Sequence, residues 1–100
     1  MTKYEFNLHL AECAANTIEQ RAHLLPQGEF CSLEGKGIEA EIGAHVDMLV
    51  GHLFEIKKYI RWLDKGEAKA EIKKNLEAFK RYRKLIKEYE YLCEECLCEE

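Results

Sequence analysis

Between residues 42 and 63 a large aliphatic side chain recurs as Ile42, Val46, Leu49, Leu53, Ile56, Ile60 and Leu63, in steps that alternate four and three. An unbroken seven-residue period keeps one stripe on one face of a helix and favours coiled-coil-like packing against a neighbouring helix. The pattern therefore predicts a long helix over about 37–64. Pro26 is the single proline of the chain, so helices have few built-in breaks.

Two further helices are expected beside it. Thr2 and Glu5 have the spacing of a capping box, in which each side chain satisfies a free backbone N–H at a helix start. The residues that follow, Tyr4, Leu8, Ala11, Ala15, Ile18, Ala22 and Leu25, again step by three and four. Tyr4, Phe6, Leu8 and Leu10 also alternate as a strand would, but a lone strand would find no partner elsewhere, and the helix is preferred. Pro26 and Gly28 close it, and residues 26–37 read as a glycine-containing loop with Phe30 and Leu33 tucked against the bundle. After Leu63, Asp64 can cap a third helix with Glu67 completing the box, and so short a connection makes the second and third helices antiparallel neighbours. The third helix carries three adjacent apolar rows: Ile72, Phe79, Ile86 and Cys93; Tyr82, Tyr89 and Cys96; and Ala78, Leu85 and Leu92. The expected fold is all-α, a three-helix bundle built on a long antiparallel helical hairpin, with helices at about 3–25, 37–64 and 66–97 in a single domain, 1–100. Gly43 and Gly51 lie inside the second helix and each costs roughly 1 kcal/mol against alanine. Close approach of the alanine-bearing first helix is the expected compensation.

Charge is strongly segregated. Residues 57–87 hold twelve of the fifteen Lys and Arg with four acids, a net of +8; the remainder of the chain holds three bases and fifteen acids, a net of −12. In the hairpin the bases surround the turn and the acids, among them Glu29, Glu34, Glu39 and Glu41, gather at the other end. Three uses of this polarity are open. It can simply solvate helix faces. It can orient two copies antiparallel, basic tip to acidic end. It can grip phosphate or nucleic acid, with Tyr59, Trp62 and Tyr82 interleaved among Lys57, Lys58 and Arg61 on one side and Lys73, Lys80, Arg81 and Lys84 on the other. The acidic overall balance, pI about 5.6, argues against the last use.

Five cysteines and no basic-then-apolar leader in MTKYEFNLHL lead us to expect reduced thiols in a cytoplasm. Cys93 and Cys96 share a helical face and read as small apolar side chains. The hairpin register also brings Cys31 and His23 to the same end, where Cys31, Cys93 and Cys96 with either Cys98 or His23 have the donor types of a zinc site. Cys13 falls off its helix's seam. His45 and His52 flank the seam of the second helix, but the inward rows of the third helix supply neither a histidine nor a carboxylate to complete a bundle metal site. There is no nucleophile–histidine–acid arrangement and no glycine-rich phosphate loop, and no apolar run approaches the ~20 residues that span a bilayer. The expectation is a non-enzymatic cytosolic interaction module (an adaptor, regulator or inhibitor) that self-associates. Its size and composition also suit a phage accessory protein.

Overall fold

The structure, a computed structural model, describes residues 2–24 and 33–92, with side chains of the second span from residue 37. It is all-α: α1 (Lys3–Ala22), α2 (Leu33–Arg61), α3 (Lys65–Lys74) and α4 (Leu76–Tyr89), followed by a 3-10 turn at Glu90–Leu92. No strand occurs among the described residues, and residues 4–10 lie within α1. No described helix is long and apolar enough to cross a membrane.

The helix starts form where capping chemistry places them. The Thr2 hydroxyl accepts from the Glu5 N–H at 3.1 Å, and the Glu5 carboxylate accepts from the Thr2 N–H at 2.9 Å. Asp64 accepts from the Glu67 N–H at 2.8 Å and begins α3. The stop between α2 and α3 is a tight turn in which the Trp62 and Leu63 N–H groups bond the Tyr59 and Ile60 carbonyls.

The expected third helix is two helices. At Asn75 the backbone leaves the helical region (φ −108°, ψ 16°). Its side-chain amide donates to the Glu71 carbonyl and to the Glu71 carboxylate, each at 3.1 Å. A short amide that bonds local backbone competes with regular helix, and here it interrupts the ladder. α3 offers little to oppose the break, since its one large apolar side chain is Ile72 and it buries no residue. Other boundaries also differ, and α2 ends at Arg61 rather than at 64. α2 starts four residues before the expected position, and α1 ends at Ala22 with His23 as its cap.

Side-chain pairs fix the helix directions. Tyr4 stacks on Tyr59 with ring centroids 4.2 Å apart, Asn7 meets His52 at 3.0 Å, and Arg21 reaches Glu41 at 2.5 Å, so α1 and α2 run antiparallel. Tyr4 also donates its hydroxyl to Glu71 at 2.7 Å, while Glu12 takes hydrogen bonds from Arg81 and Tyr82, so α4 lies alongside α1 as well. The core combines Ala11, Ala14, Ala15 and Ile18 of α1 with Ile42, Val46, Leu49 and Ile56 of α2 and Tyr82 and Leu85 of α4. Small side chains on α1 let its axis come close to the branched residues of α2. Three members of the α2 repeat, Leu53, Ile60 and Leu63, are only half-buried.

The glycines of α2 divide. Gly43 is buried, whereas Gly51 is exposed and a methyl group added there would meet no atom within 4 Å. The expected close approach of α1 does not occur at Gly51, because the alanine seam packs on the opposite side of α2. Gly51→Ala should therefore raise the unfolding free energy by about 1 kcal/mol, and Leu49→Ala should lower it by about 3 kcal/mol. Urea titration of dilute protein measures both, and a destabilised Gly51→Ala would contradict the open space beside α2.

Candidate functional site

Beyond the core, α2 carries a second, unpredicted row. Val50, Phe54, Lys57 and Arg61 follow the helix in steps of four, three and four, and all four are exposed. Across from them stand Ile72 of α3 and Phe79, Arg83 and Ile86 of α4. Between the two walls lies an open groove of about 490 Å³, floored by Leu53, Ile56 and Ile60. Twelve residues of α2, Val50 to Arg61, are separated by eleven rises and give it a length of about 16 Å. The apolar row Ile72–Phe79–Ile86 is a groove wall: Ile72 is 43% exposed, while Phe79 and Ile86 are half-buried and also pack against the core.

The groove combines apolar walls with a cationic rim. Lys57, Arg61 and Arg83 form no ion pair among the described residues. Phe54 is 62% exposed at the lip, with the Lys58 ammonium 5.7 Å from its ring centroid. An open apolar surface of this extent next to uncompensated positive charge is the kind of patch that marks an interaction site.

The ten residues singled out by charge and aromaticity separate on folding. Lys57 and Arg61 belong to the groove. Lys58 turns the other way and lies 3.6 Å from Glu55, which also faces Lys3 at 3.8 Å. Tyr59 is stacked on Tyr4, and beside this stack Trp62 is 87% exposed. Lys73, Lys80 and Lys84 are exposed on α3 and α4.

Arg81 and Tyr82 are internal fasteners. The Arg81 guanidinium spans α4 to α1, donating to Glu12, to Asn16 at 2.6 Å and to Glu19 at 2.5 and 3.2 Å. The Tyr82 hydroxyl donates to the other Glu12 oxygen at 3.0 Å. Burial pushes the Tyr82 hydroxyl up to about 12, and the Glu12 carboxylate adds to the shift. The Arg81 hydrogen bonds hold the Glu19 carboxyl below its ordinary range. A planar donor fork that serves three acceptors cannot be replaced by an ammonium.

The proposed zinc donors Cys31, Cys93, Cys96 and Cys98 lie outside the described residues. His23 is exposed at the end of α1, near Glu19 and Lys84. Among the described residues no group of three or more His, Cys, Asp or Glu comes together as a metal site. His45 bonds the Glu41 carbonyl of its own helix at 2.8 Å, and His52 bonds the buried Asn7. Cys13 is an exposed free thiol with its sulfur 3.6 Å from His9 Nε2.

Comparison with protein-family models, with curated proteins and with solved structures finds no match for this chain.

The Arg81 cluster makes a prediction that separates fold from function. Arg81→Lys should cost about 1–2 kcal/mol, since the fork is lost and the cluster is partly screened by solvent. Lys80→Ala and Lys84→Ala should stay within about 0.5 kcal/mol of the parent. Glu19 has a depressed folded pKa, so its bond to Arg81 contributes stability above the ordinary value of 4.5, and this is lost as pH falls through the depressed value. The gap between parent and Arg81→Lys in chemical denaturation should therefore narrow from pH 6 to pH 3. A gap that stays constant with pH would rule out this account of the cluster.

Proposed function

We propose that the protein is an interaction module that docks an amphipathic helix, apolar along one edge and acidic on its flanks, into the groove between α2 and α3–α4. One observation carries the reading: the Ile72–Phe79–Ile86 row and the Val50–Phe54 row face each other across open space under Lys57, Arg61 and Arg83. About 16 Å of groove matches three turns of helix, enough for anchors at i, i+4, i+7 and i+11. Burial of the anchors supplies affinity, while carboxylates against the rim steer approach and fix orientation. Such a module serves as an adaptor, regulator or inhibitor by occupying a helix of its partner.

Phosphate or nucleic-acid binding at the basic tip has weaker support. Of the three aromatics available for stacking on bases, Tyr59 is already stacked on Tyr4 and Tyr82 is buried, which leaves Trp62. The groove walls are apolar and offer phosphates nothing beyond the rim.

A labelled peptide of about fourteen residues, with leucines at i, i+4, i+7 and i+11 and glutamates beside them, is a direct probe. Fluorescence anisotropy should give a dissociation constant in the micromolar range, weakened at least tenfold by Arg83→Glu or by Ile72→Asp. A control peptide with lysines in place of the glutamates should bind far less. Equal binding of both peptides, or binding untouched by the two substitutions, would remove the groove as the docking site.

A further inference from the structure

We propose a second interaction surface: the outward face of α2 pairs antiparallel with the same face of a second copy of this chain, about a two-fold axis level with residue 49. Two features of α2 point to a copy of the chain as the occupant. The first is exposed apolar surface on either side of that level: Met48 is 49% exposed and Phe54 62%, with Ala40 and Ala44 exposed on the N-terminal side. The second is the sign of the charges beyond them. Glu39 stands before the apolar patch, and Lys57 and Arg61 stand after it, all exposed.

Self-complementarity follows from helix geometry. Glu39 and Lys57 are eighteen residues apart, which is five turns of 3.6 residues, so they lie on the same flank of α2. A two-fold axis perpendicular to the helix exchanges its ends and keeps its flanks. In the pair, Glu39 of one copy then lies between Lys57 and Arg61 of the other, and each such contact occurs twice. The same operation brings Phe54 of one copy to the axial level of Ala44 of the other, so the exposed apolar residues on either side of residue 49 overlap along the pair. A parallel pairing would instead put the cations together. The charges choose orientation and register, and the apolar residues supply the buried surface.

The surface is distinct from the groove apart from the lip residues Val50 and Phe54 and the rim cations Lys57 and Arg61, and its disrupting variants are at Ala44 and Glu39, which the groove lacks. Sedimentation velocity across a concentration series should show a dimer with a micromolar dissociation constant, weakened at least threefold between 50 and 500 mM salt. Ala44→Glu places a carboxylate within the apolar patch, at the axial level of Phe54, and should leave only monomer, with an unchanged helical circular dichroism spectrum. Glu39→Lys should weaken the dimer about tenfold, and adding Lys57→Glu and Arg61→Glu to it should restore association. Arg83→Glu and Ile72→Asp, which alter the groove alone, should leave the dimer constant unchanged, so failure of peptide docking and failure of dimerisation are read separately. A monomer at 500 μM parent protein, a dimer that survives Ala44→Glu, or a charge swap without rescue would overturn the proposal.

Discussion

The close antiparallel seam between α1 and α2 is the contact from which the remaining structure follows. Ala11, Ala14 and Ala15 present almost no bulk, and Ile42, Val46 and Leu49 fill the space they leave without remaining exposure. With one face of α2 consumed in this way, α4 can enter only beside both helices, where Tyr82 and Leu85 complete the core. The Arg81 fork then ties α4 to the acidic outer edge of α1. It links three polar side chains at the margin of the core, so it sets where α4 lies along α1 more than it adds to the net stability of the bundle.

The groove is a consequence of helix number. α2 and α3–α4 each carry apolar residues on more than one face, and a single further helix, α1, can cover only one side of the pair. On the uncovered side the facing rows have no third wall, and the interruption at Asn75 sets Ile72 apart from the packed part of α4. The groove is thus built from the same kind of residues as the core, exposed because α1 packs on the other side of the pair. The polarity of the surface comes from the same geometry. Glu12, Glu19 and Glu41 are drawn into ion pairs with Arg81 and Arg21, and the cations around the groove have no ion-pair partner among the described residues.

These features give the molecule two surfaces of different character on one helix. The side of α2 that faces α4 is deep, apolar and cationic at the rim, suited to a helix of opposite charge. The outward side is shallow and carries both signs of charge, suited to its own mirror in sequence direction. Phe54 stands at the boundary between the two, more exposed than any other phenylalanine of the described residues, with the Lys58 ammonium over its ring.

Much of the local structure was legible in the residues themselves. The capping pairs Thr2–Glu5 and Asp64–Glu67 mark their helix starts because a cap is a contact over three residues, and the period of Ile42–Val46–Leu49 marks the buried stripe because helical pitch is a local property. What the folded chain alone decided was which apolar rows find cover. Ile72, Phe79 and Ile86 have the same spacing as core residues, and Arg81 looks like its neighbours Lys80 and Lys84, yet the first three line open space and the last is enclosed by two glutamates and an asparagine. Periodicity reports that a face is apolar or charged; burial depends on how many helices arrive and on which side, and that is settled only when all of them pack together.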